Sequence, residues 1–432
     1  MIAMTFSMVQ KNKGNTFDYV ERLVQQRIGH YVYFASLQDL RGSELVGGKF
    51  DKNDEIFGVN WDLVIIDEAH EGTQTELGKS VLKELEKDNT KILQLSGTPF
   101  NLLDEHTGDA IYMWDYVMEQ KAKRDWDILH KGDPNPYASL PHLNIFTFDL
   151  GKMLGKYQDE ELAFNFHEFF RVDENGVFIH QQDVRSFLDL ICKTDESSNY
   201  PYSTEEYRRN FRHSLWMIPG VKSARALSTM LQQHPVFSQF EIVNVAGDGD
   251  EDVKSEDALQ MVHKAIGEDP DETYTITLSC GRLTTGVSVP AWTAVFMLAG
   301  SFNTSAANYM QTIFRVQTPA TINGRMKTEC FVFDFAPDRT LKVIAETAKV
   351  SAKAGKTGED GHRIMGDFLN FCPVISVDGT QMRPYNANQM LEQLKRVYVE
   401  RVVRNGFEDG YLYNNDLLMK LDGGDLTEFN NL

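Results

Sequence analysis

Unbroken apolar runs separated by amphipathic stretches set the pattern of this chain. Leu63, Val64, Ile65 and Ile66 form one run, and residues 92–95 read as another strand. Residues 75–87 between them carry helical spacing, and residues 31–35 also read as a strand. Strands that are continuously rather than alternately apolar, with helices between them, predict a parallel sheet covered on both faces. That places residues 1–104 in an α/β layer architecture.

Residues 105–210 break the pattern. They hold an aromatic-rich helix over 111–128, a Pro/Asn/Gly stretch over 131–141 and a polar loop over 193–203, and an inserted connection is expected there. Regular alternation resumes over 211–340. Strands are predicted at 214–218, 240–245, 274–278, 294–298 and 330–333, with helices at 223–232, 257–266 and 305–316. This defines a second α/β lobe. A helical and mixed extension follows over 341–432, and its apolar helix at 390–403 is expected to pack on the second lobe.

Composition narrows the picture only in places. A chain of 432 residues can bury two or three cores. No apolar run approaches the roughly 18 residues of a membrane span, and no charged segment leads into an apolar stretch at the N-terminus. A cytoplasmic protein without a membrane partner is expected. Cys192, Cys280, Cys330 and Cys372 are scattered and make no C-x-x-C pair, so reduced thiols are expected. The formal charge of -20 argues against a surface that binds nucleic acid all over, because phosphate neutralisation supplies most of that affinity. A local basic channel stays compatible with it.

The chemistry concentrates at strand ends. The run from Leu63 stops abruptly at Asp67-Glu68-Ala69-His70. Open α/β sheets place their ligands at such carboxyl edges. Phosphoryl transfer needs one carboxylate to hold Mg²⁺ and a second group to orient the attacking water, and adjacent residues can serve both places. The next strand ends in Ser96-Gly97-Thr98-Pro99-Phe100, where small hydroxyl residues and glycine let a ligand approach closely.

These two segments resemble motifs II and III of superfamily 2 DEAD/DEAH-box helicases, and the resemblance continues along the chain. Ser36-Leu37-Gln38-Asp39-Leu40-Arg41-Gly42-Ser43 is similar to a segment that lines the DNA track in restriction-subunit helicases. Arg282-Leu283-Thr284-Thr285-Gly286-Val287-Ser288-Val289-Pro290 resembles motif V. Tyr309-Met310-Gln311-Thr312-Ile313-Phe314-Arg315-Val316-Gln317-Thr318-Pro319 resembles motif VI. The similarity spans roughly residues 30 to 335 and is strongest to the helicase subunits of type III and type I restriction enzymes.

The resemblance implies two RecA-like parallel-sheet lobes and an ATP- and Mg²⁺-dependent DNA helicase or translocase. It implies that Asp67 holds Mg²⁺, that Glu68 positions water and that His70 couples nucleotide state to the second lobe. Ser96, Gly97, Thr98 and Gly286 are implied on the nucleotide side. Gln311 and Arg315 would face the γ-phosphate, Arg315 as an arginine finger able to contribute about 10³-fold or more. Ser305 is expected to cap a helix that presents both on one face. Ser36, Gln38, Arg41, Thr284 and Thr285 are implied in DNA contact. DNA is the implied partner, together with a methyltransferase or specificity subunit or a nuclease domain.

The chain also departs from the pattern. Thr318 stands where motif VI carries a second arginine, and Phe314 where most relatives have glycine. No G-x-x-x-x-G-K-[S/T] precedes Asp67. Gly47-Gly48-Lys49-Phe50 lacks the hydroxyl, and Gly355-Lys356-Thr357 lies after motif VI with Val350 at the first glycine position. Without that loop, backbone N–H groups and a lysine for the phosphates are missing. The expectation is an N-terminally shortened motor, inactive by itself. The alternative is a non-hydrolysing docking scaffold that keeps the helicase fold. Asp248-Gly249-Asp250-Glu251-Asp252 fails as a Ca²⁺ loop, since Val253 takes the glycine position. Glu119-Gln120-Lys121 is expected on an exposed helix face.

Overall fold

The computed structural model describes residues 32–405, apart from 71–72, 74, 101, 103–109, 151–163, 195–198, 247–254, 285, 302, 355–360 and 379–380. The chain divides into two units, Met1–Glu105 and His106–Leu432.

In the first unit, β1 (Leu63–Ile66) pairs in parallel with β2 (Lys91–Gln94), Leu63 opposite Lys91. Helices α1 (Leu37–Leu40), α2 (Asp54–Gly58) and α3 (Glu76–Leu85) accompany the pair. Thr75 starts α3, its hydroxyl accepting the Gly78 N–H at 3.1 Å in place of a missing intrahelical acceptor. The helix buries Val81 and Leu85 among Leu40, Val46, Ile56 and Phe57. Each such side chain contributes about 1.5–3 kcal/mol on leaving water. The opposite face differs from expectation. Leu63 and Ile65 are 50% and 56% exposed, and Leu93 and Leu95 are also exposed. An apolar run tells that both faces favour cover, but not which residues supply it. Residues 32–36 form no strand, lacking a ladder partner among the described residues, and lead instead into α1.

The second unit is built on an eight-stranded sheet in the order β12-β11-β3-β10-β7-β4-β6-β5. Its strands are β3 (His142–Phe148), β4 (His213–Met217), β5 (Glu241–Asn244), β6 (Thr275–Ser279), β7 (Ala294–Met297), β10 (Glu329–Asp334), β11 (Val374–Asp378) and β12 (Gln381–Pro384). A small hairpin, β8 (Thr321–Ile322) and β9 (Arg325–Met326), stands apart. All neighbours run parallel except β11 and β12. The expected α/β class with a mostly parallel sheet is therefore the class observed. Every residue of β4, β6 and β7 is buried, including the polar His213, Ser214, Thr275, Thr277 and Ser279, as expected of strands covered on both faces. Aromatic rings fill the core, with Trp216 and Phe296 at 4.8 Å between centroids and Phe187 edge-on to Phe335 at 5.2 Å.

Helices flank the sheet as α4 (Tyr116–Leu129), α5 (Phe166–Phe169), α6 (Gln181–Ile191), α7 (Glu205–Asn210), α8 (Val221–Gln232), α9 (Ser255–Ile266), α10 (Ala306–Ile313), α11 (Pro337–Ala354), α12 (Gly361–Phe371) and α13 (Ala387–Asn405). The region expected as an inserted connection is not separate from this unit. It supplies β3, which lies between β10 and β11. The extension over 341–432 supplies β11 and β12, and α13 meets α11 through Gln393 Nε2 and Asp338 Oδ1 at 3.0 Å. Pairing between strands nearly two hundred residues apart leaves no trace in local periodicity.

His213, at the start of β4, is buried. Its Nε2 donates to the Pro270 carbonyl at 2.7 Å, so Nδ1 accepts from the Thr275 hydroxyl at 2.9 Å. Burial pushes the imidazole down to about 4. A depressed folded pKa means that stability is complete above the unfolded value of about 6.5 and is lost as pH falls toward 4. Acidification across that window is expected to remove roughly 3 kcal/mol. A His213→Gln protein should lose much less over the same window. Equal pH slopes for both in urea titrations would rule out His213 as the cause.

Candidate functional site

The end of β1 turns sharply. Glu68 adopts φ 47°, a left-handed conformation uncommon outside glycine, and its N–H donates to Asp67 Oδ1 at 3.0 Å. Ala69 anchors the turn: it is fully buried, and its N–H donates to the Leu95 carbonyl at 2.9 Å. The Asp67 and Glu68 carboxylates stay exposed. His70 ties this turn to the end of β2. Its Nδ1 lies 2.8 Å from the Ser96 hydroxyl and 3.5 Å from Glu68 Oε2, and its Nε2 lies 3.3 Å from the Thr98 hydroxyl. Ser96 Oγ also accepts the Thr98 N–H at 3.1 Å. The two strand ends thus form one hydrogen-bonded cluster. Gly97 is exposed beside it, and a Cβ there would meet no atom within 4 Å.

Asp67 and Glu68 line a cavity of about 730 Å³ with Ser36, Gln38, Arg41 and the Gly47-Gly48-Lys49-Phe50 loop. Local sequence fixes that loop tightly. Gly47 sits at φ 89°. A Cβ on Gly48 would fall 2.3 Å from the Gly42 carbonyl carbon, so only glycine fits. Ser43 Oγ donates to the Lys52 carbonyl at 2.7 Å, and Lys52 pairs with Asp39 at 2.8 Å. The backbone N–H groups are all committed within the segment. Gly47 donates to Glu44, Gly48 to Ser43, and both Lys49 and Phe50 to Gly42. No nest of free N–H groups remains for a phosphate. Sequence reasoning set Lys49 aside for the phenylalanine after it; its place beside Asp67 comes from a turn that spacing does not encode.

In the second unit, the segment from Gly281 to Gly286 turns through left-handed conformations at Gly281, Leu283 and Gly286. The Thr284 hydroxyl donates to the Gly281 carbonyl at 2.7 Å. Thr285 lies outside the described residues. Arg315 joins the motif V and VI segments, with Nη1 donating to the Val287 carbonyl at 2.7 Å and Nε to the Gln311 carbonyl at 3.1 Å. The helix expected to carry both residues is shorter than foreseen. α10 ends at Ile313, and Arg315 falls in a 3-10 turn, Phe314–Gln317. Pro319 disfavours helix at the residue before it, and the last turn tightens. Ser305 makes no side-chain cap. Phe314 packs near Tyr116, with ring centroids 6.0 Å apart, and the Thr318 hydroxyl donates to the Arg315 carbonyl at 3.2 Å. Both departures from motif VI therefore have local packing roles.

Behind α10 lies a polar cluster that the sequence did not flag. Asp334, at the end of β10, accepts from the Tyr309 hydroxyl at 2.9 Å, the Thr340 hydroxyl at 2.7 Å and the Ala336 N–H at 2.9 Å. It pairs with Arg339 at 2.5 Å, both side chains fully buried. Arg339 also donates to the carbonyls of Met297, at 3.1 Å, and Ala299. The available signal was a carboxylate closing an apolar strand with a basic residue five positions on, too common a pattern to stand out.

The remaining candidates hold no chemistry of their own. Lys121 pairs with Asp367 at 2.7 Å across to α12, so its helix face is not simply solvated as expected. Asp248 to Asp252 and Gly355 to Thr357 lie outside the described residues. The cysteines are free, and burial pushes Cys192 and Cys330 up to about 12. Among the described residues no helix is long and apolar enough to cross a membrane. None of them gathers three or more His, Cys, Asp or Glu side chains into a metal cluster.

The arrangement fits a divalent cation and a polyphosphate in part. Mg²⁺ is commonly held by one or two carboxylates and completed by water and phosphate oxygens, and Asp67 and Glu68 supply that share. The backbone cradle is absent from the loop beside them. Arg41 lines the same cavity, and its Nε is buried with no acceptor among the described residues.

No protein-family profile matches the chain. It is 26% identical over 422 aligned residues to a Mycoplasma pneumoniae protein provisionally named as the C-terminus of a type II restriction enzyme and methyltransferase. That alignment covers 82% of this chain and 57% of the relative, so the chain spans little more than half the relative's length. Among solved structures it is similar to the ATP-dependent Type ISP restriction-modification enzyme LlaBIII bound to DNA. The identity is 16% and the TM-score 0.45, over 91% of this chain and 27% of that one. It is also similar to the DEAD-box helicase Mss116 bound to ssRNA and UDP-BeF, at 12% identity and TM-score 0.36, over 90% and 63%. Both scores are too low to add to the architecture described above. In sequence, the chain is thus similar to a restriction-enzyme and methyltransferase chain.

Proposed function

We propose that this chain is the hydrolytic and second-lobe portion of an ATP-dependent DNA helicase or translocase of a restriction-modification system. The observation that supports it most is the cluster joining Asp67-Glu68-Ala69-His70 to Ser96 and Thr98. It puts two carboxylates at a sheet edge and links one of them, through His70, to the next strand end. Asp67 would hold Mg²⁺, which when bound supplies positive charge to phosphate oxygens. Glu68 orients the attacking water and takes its proton. His70, bonded to the hydroxyls of Ser96 and Thr98, stands 3.5 Å from Glu68 and would link it to that strand end. Gln311 and Arg315, which the resemblance assigns to the γ-phosphate, belong to the second unit, where Arg315 would exchange its carbonyl partners for phosphate oxygens. DNA contact is assigned by the resemblance to Ser36, Gln38, Arg41, Thr284 and Thr285, and a methyltransferase or nuclease to the whole assembly. With the N–H groups of the loop beside Asp67 committed within that loop, the chain by itself is proposed to be inactive in hydrolysis.

Such a motor couples nucleotide to DNA. A nonhydrolysable ATP analogue with Mg²⁺ is expected to change the affinity for a DNA oligonucleotide about fivefold or more, a typical coupling. His70→Ala should reduce that change while leaving nucleotide affinity within about threefold, an effect of coupling rather than binding. Fluorescence anisotropy with labelled DNA measures both. DNA affinity that is undetectable, or identical with and without nucleotide, would sink the proposal.

A further inference from the structure

The first-unit cavity holds more charge than its paired carboxylates explain. Lys52 is neutralised by Asp39 at 2.8 Å. Arg41 and Lys49, on the same wall, have no ion pair among the described residues. Lys49 is exposed at the rim, whereas Arg41 is half-buried with its Nε shielded from water and bonded to no acceptor. Two cationic side chains without a counter-charge beside an open cavity favour an anion there. Asp67 and Glu68 line the same cavity but make no ion pair with Arg41. The loop that would otherwise cradle an anion has spent its N–H groups on itself.

We propose that Arg41, seconded by Lys49, binds a phosphate group of a nucleoside triphosphate in the cavity of Asp67 and Glu68, in place of a backbone cradle. The identity of the ligand rests on the nucleotide role proposed above; the anion seat rests on the cavity. The planar guanidinium fork suits two phosphate oxygens at once, which a lysine point charge does not. A phosphate held there carries negative charge toward the two carboxylates, so binding requires Mg²⁺ between them. Arg41 thereby moves from the DNA contacts suggested by its sequence neighbourhood to the nucleotide side.

The test is calorimetric titration of the full chain with Mg²⁺-ATP, Mg²⁺-pyrophosphate and a short single-stranded DNA, beside Arg41→Met, Arg41→Lys and Lys49→Met. Expected is a loss of about tenfold or more in ATP affinity for Arg41→Met, as for a charge-assisted bidentate contact. Arg41→Lys should recover part of it, and Lys49→Met should lose less. Melting temperature serves as the folding control. Arg41→Met should melt no lower than the parent, since it removes an unsatisfied donor, and ATP should raise the melting temperature of the parent more than that of Arg41→Met. Unchanged ATP affinity in Arg41→Met overturns the proposal and leaves the nucleotide role standing. Loss of DNA affinity alone overturns it in favour of a DNA contact. Arg41-dependent binding of pyrophosphate, with ATP bound no better, supports the anion seat and removes the nucleotide role. Absence of binding by both ligands overturns both.

Discussion

Asp334→Ala is expected to destabilise the second unit by about 3–5 kcal/mol, the usual effect of removing one partner from a buried ion pair. The carboxylate is the common acceptor for Arg339, the Tyr309 and Thr340 hydroxyls and the Ala336 N–H. Its removal leaves a buried guanidinium with only the Met297 and Ala299 carbonyls, and two hydroxyls that must find new acceptors. Space around the cluster offers little relief. Gly300, at φ 92°, has its backbone so close that a Cβ would fall 3.0 Å from Arg339 Nη1. Urea denaturation followed by the fluorescence of Trp216 and Trp292, both buried in this unit, measures the change. A cost below about 1 kcal/mol would mean that the pair is not desolvated as described. Changing both partners to apolar residues of similar size should recover much of the loss, because a missing pair is tolerated better than an unpaired charge.

The same cluster bears on function. Tyr309 sits on α10 two residues before Gln311, and Asp334 holds that helix against the end of β10. The placement of Gln311 and Arg315 relative to the sheet of their own unit thus depends on residues outside every recognised motif. Asp334→Ala should therefore disturb the motif VI segment as well as the core.

Sequence and structure agree where chemistry is local. The apolar runs at β1 and β7 and the mainly apolar segments at β2, β4 and β6 mark those strands within a residue or two, although Lys91, Gln94, His213, Ser214, Thr275 and Thr277 interrupt them. The helix that starts at Thr75 is legible from its amphipathic spacing. What periodicity could not supply was pairing. β3 follows a Pro/Asn/Gly stretch, and its partners, β10 and β11, lie far along the chain. A heptapeptide such as His142–Phe148 reads as a strand only once its neighbours are known. The proposed site divides in the same way. Asp67, Glu68, His70, Ser96 and Thr98 stood out because their strand ends are adjacent and their types unusual in that order. Lys49 did not, since Phe50 rather than a hydroxyl residue follows it. Only the packing of Gly48 on Gly42 brings it to the Asp67 wall. The 3-10 turn at Arg315 was foreshadowed by Pro319 but outweighed by the four-residue spacing from Gln311.

The N–H groups of residues 47–50 bear on the choice between motor and scaffold. A phosphate loop leaves several amides pointing at the ligand, whereas this loop has none to offer. In this cavity, as lined by the described residues, side chains and a metal would then carry nucleotide affinity. Binding through them should depend more steeply on Mg²⁺ than binding through backbone amides would, because the carboxylates repel the phosphates until the ion intervenes.

That dependence is the most direct test of the proposed role of the first unit. Calorimetric titration with ATP, at millimolar Mg²⁺ and again in chelator, should show binding that needs the metal. Asp67→Asn should lower affinity in Mg²⁺ by about tenfold or more and abolish the difference between the two conditions, as expected for a lost metal ligand. Glu68→Gln, acting on water rather than on the ion, should bind within a few-fold of the parent. Binding that is absent in Mg²⁺, or equally strong with Asn at position 67, would contradict the assignment of the Asp67-Glu68 turn as a metal-nucleotide site.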